Sequence, residues 1–164
     1  MRLLYLLVVA VLIALPASAQ TAAQPAAPVE LRFADFFAQP IGPRGLEPSA
    51  ALLAARGRDV RLVGFMVQRE LPQAGRFLLT PRPVAMSEHA DGDADDLPAA
   101  TVTVLLPESQ RERFVAHQPG PVMLTGRLDY GPAEDDTGRV SWLRLHLAPG
   151  ALAEQASAAA THSH

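Results

Sequence analysis

Hydrophobic residues alternate with polar ones, or run together in short apolar stretches, in five segments between positions 58 and 147. A period of two is typical of a strand that buries one face. The first two segments are joined by a turn that contains Pro72, so they form a hairpin. The pattern predicts five strands, at residues 60–67, 76–80, 100–106, 122–129 and 139–147.

Two short helices are predicted between these segments. Residues 108–115 follow Pro107 and carry glutamates in their first half, which favours the start of a helix. Residues 49–56 begin at Ser49, a good N-cap, and are followed by Gly57, which suits a helix end. The apolar segment 29–37 fits either a short strand or a helical turn.

The order strand, strand, strand, helix, strand, strand is that of the OB fold. Gly64 and Gly126 lie inside the first and fourth strands, where a small closed barrel must bend. The sequence therefore predicts an all-β protein, a small five-stranded OB-like Greek-key barrel with a helical or irregular N-terminal extension. Another antiparallel β domain, such as a sandwich, is the alternative.

The N-terminus carries the features of a cleavable signal peptide. An apolar run at residues 3–15 follows Arg2 and leads to the small residues at 17–19, so we expect cleavage before Gln20. The run is shorter than the roughly 20 residues that span a bilayer, although an uncleaved anchor is the alternative. We expect the processed chain to be periplasmic or secreted and not embedded in a membrane.

The rest of the chain is predicted to form one domain, at residues 29–147. Residues 20–28 and 148–164 are rich in small and polar residues, which favours a flexible linker and a disordered tail. The chain has no cysteine, so burial of apolar side chains must stabilise the domain without disulfides.

Two stretches of the predicted hairpin resemble a family of uncharacterised exported bacterial proteins. The segment V-R-L-V-G-F-M-V at 60–67 is similar to the family's V-x-V-x-G-[FY]-x-V strand, and F-L-L-T-P at 77–81 to its F-L-L-x-P strand. The resemblance implies an OB-like fold. The family's Cys-x-His loop is reduced here to His89, so the resemblance implies no chemistry of that pair.

An acidic loop at residues 88–96 is a candidate metal site. Its side chains could offer oxygen ligands to calcium, and Met86 with His89 could bind copper. The loop lacks the glutamate of an EF-hand, and the alternative is a solvated acidic loop. No other cofactor is expected. The candidate metal ligands are Glu88, His89, Asp91, Asp93 and Asp95.

The fifth strand presents a candidate binding face. Trp142, Arg144 and His146 share the face opposite its leucines, and Arg76 begins the second strand, on the surface we expect to bind a ligand. In the favoured alternative, Trp142 packs under segment 33–37 or the helix at 49–56, and only Arg144 and His146 contact water.

The sequence offers little for catalysis, because it contains no G-x-S-x-G, no H-E-x-x-H and no cysteine nucleophile. The formal net charge of −3 and the acidic residues at 134–136 disfavour nucleic acid. The leading hypothesis is a non-enzymatic periplasmic module that binds another envelope protein or a small ligand. A metal-binding protein and an uncharacterised hydrolase are the alternatives.

Overall fold

The structure is a computed structural model, and it describes residues 27–86 and 97–152. The predicted signal peptide, most of the predicted linker, the loop at 88–96 and the chain beyond residue 152 lie outside these residues, so what the sequence predicts for them stays a prediction. No helix in the described segments has the length and apolar character needed to cross a bilayer.

The described chain is mostly β. Its helical elements are short: a 3-10 helix at Phe33–Asp35, the α-helix α1 at Ala50–Ala55 and a 3-10 helix at Glu108–Gln110. The strands are β1 (Val29–Glu30), β2 (Asp59–Met66), β3 (Gln68–Arg69), β4 (Arg76–Thr80), β5 (Ala85–Met86), β6 (Val102–Leu105), β7 (Pro121–Glu134) and β8 (Val140–Leu147).

Six strands form one sheet in the order β1-β2-β4-β6-β8-β7, and β2 also pairs with β7. The pairings therefore run from β2 through β4, β6, β8 and β7 back to β2. Within this path β6 and β8 are parallel and the other neighbours are antiparallel. The predicted hairpin is confirmed as the β2–β4 pair, and β3 with β5 forms a separate small sheet.

The hydrophobic core lies on the face of the six-stranded sheet that the alternation of apolar and polar residues predicts to be buried. Leucine and valine side chains from β2, β6, β7 and β8 are fully buried there, with Phe36 and Leu52 from the N-terminal segment. Gly126 lets β7 approach β8 closely, because a Cβ at this position would lie 2.6 Å from the carbonyl oxygen of His146. A larger residue would push the two strands apart.

The helix predicted at 108–115 is wrong beyond its first turn. After Gln110 the backbone turns toward the segment before β4, where the N–H of Gly75 donates to the carbonyl of Arg113 at 2.8 Å. This hydrogen bond between two distant segments of the chain replaces the one that a continued helix would form. The predicted helix α1 is confirmed, with the hydroxyl of Ser49 accepting from the N–H of Leu52 at 3.0 Å.

Both readings of segment 29–37 are partly correct, since it holds β1 and then a 3-10 turn. The fourth predicted strand is longer than expected. β7 continues to Glu134 past an irregularity between Tyr130 and Ala133, so the predicted turn at 130–138 shrinks to the residues that join β7 to β8. A two-residue bulge accounts for the extension, because it lets Gly131 and Pro132 interrupt the ladder without ending it.

Candidate functional site

A cavity of about 140 Å³ opens on the outer surface of β4, β6 and β8. It lies between the segment before β4, which contributes Gln73, and the turn that joins β7 to β8. Its apolar wall includes Leu78 and Leu105. Three guanidinium groups also line it, and we call it the arginine cavity after them: Arg76, Arg139 and Arg144.

Strand register brings these side chains together. Arg76 pairs with Leu105 across β4 and β6, and Thr103 pairs with Arg144 across β6 and β8. Successive side chains of a strand point to opposite faces, and Val102 and Val104 of β6 are fully buried. Thr103 and Leu105 therefore face outward, beside Arg76 and Arg144.

Arg76 is held by the β7–β8 turn. Its guanidinium forms an ion pair with Asp135 and a second one with Asp136 at 3.0 Å. The side chains of Arg76 and Asp135 are 21% and 22% exposed, whereas that of Asp136 is 83% exposed. Solvent weakens exposed pairs, so Asp135 is the partner that fixes Arg76 against the cavity.

Asp135 also organises its own turn. Its Oδ1 accepts from the Thr137 hydroxyl at 2.6 Å, from the Thr137 N–H at 2.9 Å and from the Arg139 N–H at 3.1 Å. The Thr137 hydroxyl contributes most to lowering the pKa of Asp135 to about 2, with the two N–H groups and the charge of Arg76 adding to it and burial opposing it. Asp135 is therefore ionised throughout the physiological range.

The pKa of Arg139 depends on its burial and on the charges of two other arginines. Burial lowers the pKa of Arg139 from its usual value, and the nearby charges of Arg69 and Arg76 lower it further. The guanidinium groups are thus close enough to repel one another in a partly desolvated place.

Arg144 anchors the irregular part of β7. One nitrogen of its guanidinium donates to the carbonyl oxygens of Gly131 and Ser141, both at 2.7 Å. These bonds hold the side chain in one position on the wall of the cavity. A fixed guanidinium loses little further conformational freedom when a ligand binds.

The predicted binding residues separate into three places. Arg76 and Arg144 meet at the arginine cavity. His146 lines an open groove beside it, which Arg76 also lines, and the Nε2 of His146 lies 3.0 Å from Asp129 Oδ2. Trp142 lies on the outer face of β8 but lines neither place.

The packing favoured for Trp142 is wrong. The indole is 55% exposed and its ring centroid lies 6.2 Å from that of Tyr130. The N-terminal segment covers a different strand, because Phe33 packs where a Cβ on Gly64 of β2 would lie. The alternation of β8 placed Trp142 outside, but it could not tell which element covers that face.

Sequence reasoning missed Arg139 as a cavity residue and treated Asp135 only as a charge. The run Asp135-Asp136-Thr137-Gly138 contains a usable pattern, since aspartate commonly accepts from the backbone N–H two residues ahead in a turn. That pattern predicts the turn, but the approach of Arg76, 59 positions earlier in the chain, depends on the tertiary fold.

The candidate metal ligands Glu88, His89, Asp91, Asp93 and Asp95 lie outside the described residues. Met86 is described, and it is buried against Val67 and Leu78 in a small apolar cluster. Across residues 27–86 and 97–152, no three His, Asp or Glu side chains are grouped as ligands of one metal ion. The metal hypothesis stays a prediction.

Comparison with known proteins gave a remote structural likeness. No protein-family model matches the chain, and no curated protein matches it. A crystal structure of a DUF3299 family protein from Pseudomonas aeruginosa is similar at 16% identity and a TM-score of 0.44, over 73% of this chain and 92% of that one. Membership of the family of exported proteins described above stays a prediction.

Proposed function

We propose that this chain is a non-enzymatic, exported OB-like module that binds another envelope protein or a small ligand at the arginine cavity. The observation that carries the proposal is the position of the cavity, on the outer surface of β4 and β6 and between two loops. Export is supported by the apolar run and small residues of the first nineteen positions.

The pairing path supports an OB-like barrel. Taking β2, β4, β6, β7 and β8 as its five strands, the short 3-10 helix falls between the third and the fourth. OB folds bind their ligands on the face of strands two and three, beside the loops that join strands one to two and four to five. The arginine cavity has this position, because Gln73 belongs to the first of these loops and Asp135 and Arg139 to the second.

The side chains of the cavity suit binding better than proton transfer. A guanidinium is protonated at every physiological pH, so it orients and neutralises an anion but does not act as a general base. With its pKa lowered to about 2, Asp135 is a weak base at neutral pH. The groups of the cavity therefore favour recognition.

The same loop argues against a nucleic-acid ligand. Glu134 and Asp135 line the cavity and Asp136 lies beside it, in the loop that corresponds to one that contacts oligonucleotides in OB folds. Three carboxylates there would repel a phosphate backbone. A protein or a small molecule, which need not carry a line of phosphates, fits this surface better.

Site-specific photo-crosslinking in intact cells tests the proposal. A photoreactive residue at Leu105, in the wall of the cavity, should crosslink one reproducible partner protein. If a soluble ligand occupies the cavity instead, crosslinking from Leu105 should be lost when that ligand is added. The matched control is Met123 on the outer face of β7, which is 50% exposed and lies outside the cavity. Equal crosslinking from Leu105 and Met123, or none from Leu105 in any growth condition, would contradict a binding surface here.

A further inference from the structure

We propose that the open groove beside the arginine cavity binds a segment of a partner protein that carries both apolar and basic side chains. This inference rests on the proposed function and names the chemistry of the partner. The groove adjoins the cavity, because Arg76 and Leu105 line both. A partner chain that enters the cavity can therefore continue along the groove.

The groove lies where β4 begins and where β6 and β8 end. Strand register places Leu105 of β6 between Arg76 of β4 and His146 of β8. The segment after β6 contributes Glu112 to the lining, and the turn from β7 to β8 contributes Asp136. The volume of the groove is about 710 Å³, against about 140 Å³ for the arginine cavity. The groove therefore has room for several side chains of a bound segment.

Apolar side chains line the groove and continue at its edge. Leu105, Leu106 and Leu147 belong to the lining. Ala74 also lines the groove, and its backbone pairs with that of Phe114 in an antiparallel bridge. Residues paired in this way place their side chains on one face, so Phe114 stands at the edge of the groove, where 63% of it is exposed. Phenylalanine is enriched at protein interfaces relative to other surfaces, so this edge favours an apolar contact with a partner.

The basic side chains of the groove are matched within the protein. Among the described residues, every arginine or histidine that lines the groove has a carboxylate partner: Arg76 with Asp135, Arg111 with Glu108, and His146 with Asp129. Two nearby arginines do not line the groove. Arg113 lines a different cavity, and Arg127 of β7 is paired in register with Asp59 of β2.

Two further carboxylates line the groove in the described part of the chain, those of Glu112 and Asp136. Glu112 is exposed and forms no ion pair with any residue that the structure describes. Asp136 is 83% exposed and is the second partner of Arg76, whose charge Asp135 already offsets. Opposite charges across an interface give a complex its specificity and speed its formation. A basic side chain of the partner would therefore complement Glu112 and Asp136, while its apolar neighbours contact Phe114.

Titration with a synthetic pentapeptide tests the inference. The peptide alternates leucine and arginine, is blocked at both ends, and is added to the isotope-labelled protein at low ionic strength. Nuclear magnetic resonance should show saturable shifts at Ala74, Phe114 and Leu147, and binding should weaken as salt screens the charges. A peptide with glutamine in place of arginine should bind about tenfold more weakly, as should one with serine in place of leucine. Equal binding of either altered peptide would overturn the chemistry assigned to the partner.

Substitutions locate the binding on the groove. Glu112→Gln and Phe114→Ala change exposed side chains, so the fold should be retained, and the pentapeptide should bind about threefold and about tenfold more weakly, respectively. The matched control is Glu47→Gln, because Glu47 lies before α1 and lines neither the groove nor the cavity. Equal weakening in Glu47→Gln and Glu112→Gln, or none in Glu112→Gln, would overturn the inference.

Other occupants of the groove give different results. A second copy of this chain would appear in analytical ultracentrifugation as a dimer that Phe114→Ala dissociates, and this result would overturn the assignment to a partner protein. If the pentapeptide fails to bind while Leu105 still crosslinks a partner protein and Met123 does not, the chemistry assigned to the partner is wrong and the proposed binding surface stands.

Discussion

Asp135→Asn should destabilise the protein measurably, although the two side chains have nearly the same shape. The amide oxygen can still accept from Thr137 and Arg139, but three charge-assisted hydrogen bonds become neutral ones. A hydrogen bond to a charged group contributes about 1.5–3 kcal/mol against about 0.5–1.5 for a neutral one. Allowing for partial exposure and for the lost Arg76 pair, we expect a loss of about 2 kcal/mol.

The effect should depend on pH in a defined direction. The pKa of Asp135 is lowered in the folded state to about 2, so its contribution is complete above the unfolded pKa of roughly 3.9 and is lost as the pH falls toward 2. Urea denaturation followed by circular dichroism, at several pH values from 7 to 2, measures both quantities. The stability difference between the unchanged protein and Asp135→Asn should narrow between about pH 4 and pH 2.

Asp136→Asn is the matched control, because the neighbouring carboxylate of Asp136 is 83% exposed and also forms an ion pair with Arg76. We expect it to cost less than about 0.5 kcal/mol. A stability loss in Asp136→Asn as large as that in Asp135→Asn would refute the role given to Asp135. So would a difference that stays constant down to pH 2.

Three other predictions concern the frame of the site, and the first two are measured against a matched control. Leu145→Ala, at a fully buried position, should cost about 2–5 kcal/mol in urea denaturation, whereas Leu53→Ala, at a half-exposed one, should cost far less; equal losses would contradict the assigned core. Gly75→Ala places a Cβ 2.3 Å from the Arg111 carbonyl oxygen at a φ of +71°, so it should destabilise more than Gly138→Ala, which has a φ of +82° but no close neighbour. Trp142, the sole tryptophan, should emit as a solvent-exposed indole and be quenched readily by acrylamide; an emission typical of a buried indole would contradict its position.

The strands were predictable because their alternation is strong. In β8 the leucines at 143, 145 and 147 are buried while His146 is exposed, as a period of two requires. The extent of β7 was not predictable, since Tyr130, Gly131 and Pro132 read as a turn and only the tertiary pairing with β8 carries the strand past them. The prediction of a helix at 108–115 was wrong for a similar reason, because the backbone of this segment forms a hydrogen bond with Gly75, which is distant in the sequence.

The candidate site was predictable only in part. Arg76 and Arg144 were named separately as candidate binding residues, and strand register brings the two side chains to one surface. The cavity also needs Arg139 and Asp135, which lie in a turn whose approach to β4 follows from the order of the strands. Local pattern assigns a side chain to a face, but it does not say which neighbour lies beside it.

The most direct test of the central claim is to locate ligand binding on the protein by nuclear magnetic resonance. A cell-envelope extract titrated into the isotope-labelled protein should shift the signals of Thr103, Ser141 and the Arg144 guanidinium in a saturable way, and leave those of Val63 and Met123 unchanged. Shifts centred on Val63 and Met123, or no saturable shift at the arginine cavity, would contradict the claim that this cavity is where the protein binds its ligand.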